Sequence, residues 1–181
     1  TILIAMMEDP DWVKDIFNTY LDMCIAQFDM IWDAGYRFDE IHWPDDMGYK
    51  NTTFFSPALY QEILKPISKG IYARLHSCGD VMTLVPDLVD IGIDALNPLE
   101  VKAGMDSVKL KQQYGDKLVL HGGVNAVLWD DIDAITAEIE HLVPILKQNG
   151  GYIFSSDHSI PNSVSWKNFK PISTCYTINL C

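Results

Sequence analysis

From Pro10 onward, apolar residues return at steps of three and four: Val13, Ile16, Phe17, Tyr20, Leu21, Cys24, Ile25, Phe28, Ile31 and Trp32. That spacing is the stripe of an amphipathic helix. Asp9 offers an N-cap acceptor, Pro10 a pre-set first helical residue and Gly35 a C′ stop. Residues 1–8 read as the end of another helix, and Trp12, Phe17, Phe28 and Trp32 as core. Met6, Met7 and Met47 are likewise assigned to packing. The pattern then changes to short apolar runs: Phe38–Trp43, Ile71–Ser77, Ala95–Leu99, Leu118–Gly122 and Tyr152–Ser155 read as strands. Helical spacing separates them at about 57–68, 82–91, 106–113 and 130–148. The last helix ends on Asn149-Gly150-Gly151. The segment Pro171–Cys181 shows no helical periodicity and reads as an atypical tail.

Strands alternating with helices predict right-handed crossovers and a parallel sheet. No glycine-rich phosphate loop follows any strand, and polar residues end each of them, which favours a barrel over an open doubly wound sheet. The expected fold is therefore α/β, a (β/α)8 TIM barrel, forming a single domain over 1–181 that contributes about five βα units. Five strands cannot close such a barrel. The chain is accordingly expected to be the C-terminal portion of a larger domain.

Charge and composition then narrow the function. The sequence holds 25 acidic against 13 basic residues, a formal charge of −12, with no basic stripe to neutralise phosphates. Nucleic acid is not an expected partner. No run is long enough to cross a bilayer, and the N-terminus lacks signal-peptide features, so a cytoplasmic location is expected. The four cysteines, Cys24, Cys78, Cys175 and Cys181, have no framework spacing, so free thiols are expected rather than disulfides.

Chemistry concentrates at the strand ends. In Leu75-His76-Ser77-Cys78-Gly79-Asp80, the alternation of an extended chain puts His76 and Cys78 on one face. An imidazole and a thiol so placed make a two-ligand clasp suited to zinc, with Glu100 and His158 at later strand ends as candidates to complete it. Read without metal, the two are polar residues beside a turn. Asp45 and Asp46 offer a general acid and base pair, since neighbouring carboxylates push their pKa values apart, or else a solvated turn. His121 and Asn125 are candidate substrate-binding residues, although Asn125 also suits a helix cap. Asp157 is placed to orient a ligand through a histidine, while His42, beside Trp43, is expected to pack.

Asp46-Met47-Gly48, Ser56-Pro57, His76-Ser77-Cys78-Gly79-Asp80-Val81, Gly92-Ile93-Asp94-Ala95-Leu96-Asn97-Pro98, Gly104-Met105-Asp106 and Gly122-Gly123-Val124-Asn125 together resemble the uroporphyrinogen decarboxylase superfamily, over most of the chain. The resemblance implies a (β/α)8 barrel with its active site at the C-terminal strand ends. It implies two chemistries. One is zinc-dependent methyl transfer between a corrinoid, carried by a partner protein, and a thiol, with His76, Cys78 and His158 as the zinc set and Glu100 as an exchangeable fourth ligand. The histidine at 158 departs from the cysteine that such methyltransferases commonly place there. The other is cofactor-free decarboxylation of a tetrapyrrole in porphyrin (heme) biosynthesis, with Asp45 or Asp46 and His158 as catalytic groups. A non-catalytic tetrapyrrole-binding barrel is a third reading. The scarcity of basic residues to hold a polycarboxylate favours methyl transfer.

Overall fold

The computed structural model describes residues 1–68 and 74–178. Two helices open it, α1 (Ile2–Glu8) and α2 (Pro10–Asp33), and the Asp9 carboxylate accepts from the Trp12 amide at 3.2 Å to cap the second. Gly35, at φ +89°, stands where the sequence places the stop. Strand β1 (His42–Pro44) follows, then a small antiparallel hairpin of β2 (Gly48–Tyr49) and β3 (Thr52–Thr53). The next helical stretch is composite: α3 (Pro57–Leu59), a π-helical turn (Tyr60–Leu64) and α4 (Lys65–Ser68). Thereafter β4 (Arg74–His76), α5 (Val85–Ile91), β5 (Ala95–Asn97), α6 (Ser107–Tyr114), β6 (Val119–His121), α7 (Ile132–Leu146), β7 (Tyr152–Ile153) and α8 (Trp166–Ile178) alternate.

Strands β1, β4, β5, β6 and β7 form one wholly parallel sheet in that order. Registry divides its residues between two faces. Leu75, Leu96 and Leu120 pair across the sheet, each fully buried, and join helix residues such as Ile63, Leu88, Leu110 and Leu146 in the main core. Burial of each such leucine stabilises the fold by about 1.5–3 kcal/mol. The other face carries His42, Arg74, His76, Asn97 and His121, which remain partly or largely accessible. The sheet is thus apolar toward its helices and polar on its open side. A second core cluster forms where α7 and α8 meet, around Val124, Trp129, Ile135, Ile139, Val143 and Ile172.

Several expectations need correction. The α2 stripe is core only in part: Val13 is buried and Phe17 packs against the main cluster, while Trp12 is 53% and Trp32 40% exposed. Periodicity marks an apolar face but not how deeply it is covered: Tyr20 meets Trp43, and Phe28 and Trp32 meet Phe38, at an accessible edge. Met6 and Met47 are buried as expected, but Met7 is exposed. His42 is exposed rather than packed. Helix α8 runs from Trp166 through Pro171 to Ile178, across a segment read as lacking helical spacing. The interior proline forgoes one backbone bond without ending the helix. The β2–β3 hairpin was not anticipated, and the strands are shorter than their apolar runs. Positions 71–73 of the Ile71–Ser77 reading lie outside the described residues, as do 179–181 of the tail. Cys24 and Cys78 are free thiols. No helix among the described residues is long and apolar enough to cross a membrane.

Candidate metal centre

The alternation that exposes Leu75 to the core turns Arg74, His76 and Cys78 to the open face, and buries Ser77 and Gly79 between them. His76 Nε2 lies 3.4 Å from Cys78 Sγ. The other ring nitrogen, Nδ1, is 2.7 Å from Asn97 Oδ1, and Asn97 in turn donates its amide to the His121 carbonyl at 3.3 Å. With its amide nitrogen so engaged, Asn97 presents an acceptor to His76. Nδ1 therefore carries the proton, and the Nε2 lone pair faces the thiol, the tautomer a metal-binding histidine needs.

Asp46 completes a three-donor group. One carboxylate oxygen accepts from the Cys78 amide at 2.9 Å, and a ligand atom from each of Asp46, His76 and Cys78 lies within 4.8 Å of the other two. Two glycines bring this loop to its place. Gly48 and Gly79 approach backbone to backbone, so a Cβ on either would run into the other's main chain, and Gly79 sits at φ +80°. The Met47 amide donates to Ser77 Oγ at 2.9 Å and the Asp80 amide to the Tyr49 carbonyl at 2.9 Å, which ties the Asp46 loop and the hairpin to the turn after β4.

Negative charge gathers around the group. Burial, Asp46 and Glu100 together push the Cys78 thiol up to about 11, so without a counter-charge it stays protonated. Glu100 is buried beside it. Its carboxylate accepts from the Gly79 amide at 2.8 Å and pairs with Lys102 at 3.2 Å. Burial first and Asp46 second raise the Asp45 carboxyl above the usual range. A soft thiol, an imidazole with its lone pair presented and an accessible carboxylate make a donor set that suits zinc and leaves an open side toward solvent. A cleft of about 470 Å³ opens at this point, lined by Tyr49, Lys50, Cys78, Glu100 and Lys102 among others.

The remaining residues singled out in the sequence are dispersed. Asp45 and Asp46 do not act as a matched pair, since Asp45 is half-buried while Asp46 is exposed and turned to Cys78. His158 is exposed and lies outside the three-donor group, as does Glu100. Asp157 is fully buried, and its two oxygens accept from the Val101 amide at 2.8 Å and the Ala126 amide at 2.7 Å. Its carboxylate thus braces the loops after β5, β6 and β7 and makes no bond to a histidine. Asn125 caps the 3-10 turn Ala126–Asp130 through the Val127 amide. His121 faces the open side with Nδ1 3.0 Å from Arg74 Nη1.

Asp46 as a metal donor, Asn97 as the anchor of His76, and Arg74 beside the histidines were not picked out from the sequence. Arg74 and Asn97 were open to it, since one stands two residues before His76 and the other ends the neighbouring strand. Asp46 was not, because the approach of Gly48 to Gly79 that positions it leaves no mark on spacing.

A family model for uroporphyrinogen decarboxylase (URO-D) matches residues 1–175. Among solved structures, a methyltransferase from Methanosarcina mazei superposes with a TM-score of 0.72 at 20% identity. The match covers 97% of this chain and 52% of that one, so the chain spans about half the length of that structure. At this identity the likeness speaks to the fold, in which the five strands form an arc of a (β/α)8 barrel with the polar strand ends at its mouth. No curated protein sequence matches. A family model that takes in nearly every residue, together with a barrel arc and polar groups at the C-terminal strand ends, places the chain in the uroporphyrinogen decarboxylase family.

Proposed function

We propose that this chain forms the zinc-binding part of a methyltransferase that moves a methyl group between a corrinoid, carried by a partner protein, and a thiol substrate. The observation that carries this reading is the three-donor group, in which His76 Nε2 is turned toward Cys78 Sγ by the bond from its other nitrogen to Asn97. Asp46, His76 and Cys78 would hold the metal, and their open side would admit the substrate thiol. Zinc bound there would act as a Lewis acid that lowers the pKa of that thiol and keeps it as a nucleophilic thiolate. The chain's own residues prepare the place. Asn97 fixes the imidazole, the Cys78 amide holds the Asp46 carboxylate, and the glycine contact keeps the two loops together. His158 and Glu100 stand outside this group and are not counted among the proposed ligands.

Decarboxylation of a tetrapyrrole finds less support here. Asp45, Asp46 and Glu100 crowd the same rim with negative charge, which opposes a substrate rich in carboxylates, and Arg74 is already paired with Glu40 at 2.7 Å.

The test is to measure bound zinc in the purified protein and methylation of simple thiols by methylcobalamin. Thiol methylation that needs zinc and is lost in Cys78→Ala is the expected result. Metal-free protein that decarboxylates uroporphyrinogen would contradict the proposal.

A further inference from the structure

The guanidinium of Arg74 spends all three of its nitrogens on the open face. Nε donates to His42 Nδ1 at 3.2 Å, Nη1 lies 3.0 Å from His121 Nδ1, and Nη2 pairs with Glu40 at 2.7 Å. Guanidinium has donors and no acceptor. Each histidine nitrogen that meets it must therefore be the acceptor, which leaves the proton of each neutral ring on Nε2. The tautomer is fixed here by the partner's chemistry. Neither Nε2 has a hydrogen-bond partner among the described residues, and the His42 ring lies 5.6 Å, centroid to centroid, from that of His76. His121 and His76 are linked through Asn97, which bonds to both.

Three histidines thus border one surface in two opposite states. His76 presents a lone pair, while His42 and His121 present N–H groups. Lone pairs hold a cation, and N–H groups hold an oxygen acceptor.

We propose that Arg74 is a positioning residue that sets His42 and His121 as Nε2–H donors, and that these donors take a carboxylate or carbonyl oxygen of the substrate while its thiol lies at the Asp46–His76–Cys78 group. The substrate class is then a thiol bearing an oxygen acceptor a short distance from the sulfur. The substrate half of this inference rests on the methyltransferase reading, whereas the tautomers rest on Arg74 alone.

The experiment separates the two. Long-range proton–nitrogen NMR of the metal-free protein, at mildly alkaline pH and with peaks assigned through His42→Gln and His121→Gln, reads the tautomers directly. Pyridine-type Nδ1 and pyrrole-type Nε2 shifts are expected at both rings, moving toward a tautomer mixture in Arg74→Lys, whose flexible ammonium lacks the planar fork that aims separate nitrogens at the two rings. The opposite tautomers, or shifts unchanged in Arg74→Lys, would overturn the inference. In the second arm, calorimetry on zinc-loaded protein compares mercaptoacetate and mercaptoacetamide with ethanethiol. Arg74→Lys and His121→Asn should each weaken one or both oxygen-bearing thiols by about tenfold and leave ethanethiol unchanged, with His121→Gln, which keeps a distal donor, closer to the parent. Loss for the carboxylate alone identifies a carboxylate site and loss for both identifies any oxygen acceptor. Equal weakening of all three thiols would mean a merely structural role and overturn the proposal. Failure of zinc to bind the parent protein would instead remove the methyltransferase reading while leaving the tautomer result standing.

Discussion

The turn after β4 and the loop after β7 carry the same kind of sequence, a histidine close to an ionisable neighbour at the end of a strand, and the structure uses them in opposite ways. After β4, His76 and Cys78 keep their reactive atoms free of backbone bonds, and their backbone is held by others: Asp46 takes the Cys78 amide and Glu100 the Gly79 amide. After β7, Asp157 gives both oxygens to the amides of Val101 and Ala126, and His158 points to solvent. The first loop is braced so that its side chains can react, and the second spends its carboxylate on bracing. The contrast shows that a chemical signature at a strand end becomes a site only where other groups carry the structural bonds.

This contrast can be broken by substitution. The largest effect expected is in the first loop, where His76→Ala or Cys78→Ala should abolish stoichiometric zinc binding, as read by metal analysis after gel filtration, with little change in unfolding midpoint. Next, Asp157→Asn should lower stability by about 2–3 kcal/mol in urea unfolding, because one buried amide loses its acceptor and faces an NH2 group instead, while the metal group is left intact. Asn97→Ala should weaken zinc about 10–100-fold, the usual consequence of releasing the ring that a metal-bound histidine leans on. The pH dependence has a definite sign. Zinc needs the Cys78 thiolate, and burial with Asp46 and Glu100 pushes that thiol up to about 11, so binding must release its proton. Apparent affinity should then rise by about tenfold per pH unit, one proton being released, and level off as the pH nears that value. The smallest effect is expected at His158→Ala, which should leave zinc stoichiometry unchanged; a marked loss there would show that the second loop folds over the metal after all.

Much of the fold was legible because burial has a period. Leu75, Leu96 and Leu120 pair across a parallel sheet, and alternating strands and helices imply that arrangement before any coordinates. Asp9 caps α2 for reasons the chain states locally, whereas Asp106 and Asp131, inside the helical stretches the spacing marks, cap theirs from the first position outside. His76 and Cys78 were legible for the same reason, since two residues apart in a strand share a face. What periodicity could not give was contact between segments. Asp46 reaches Cys78 only because Gly48 and Gly79 meet backbone to backbone, and the exposure of the α2 stripe depends on what lies against it, which its own spacing does not say. Asp157 beside His158 suggests a carboxylate that orients a ligand through a histidine, but its two oxygens take amides from loops 31 and 56 positions away in sequence.

X-ray absorption spectroscopy of the zinc-loaded protein shows whether one thiol, one imidazole and one carboxylate make the metal group. The expected result is one sulfur at about 2.3 Å and one imidazole nitrogen at about 2.0–2.1 Å, with the remaining scatterers oxygen, and loss of the sulfur shell in Cys78→Ser. A shell with no sulfur, or one with two imidazoles that reverts to one in His158→Ala, would contradict it.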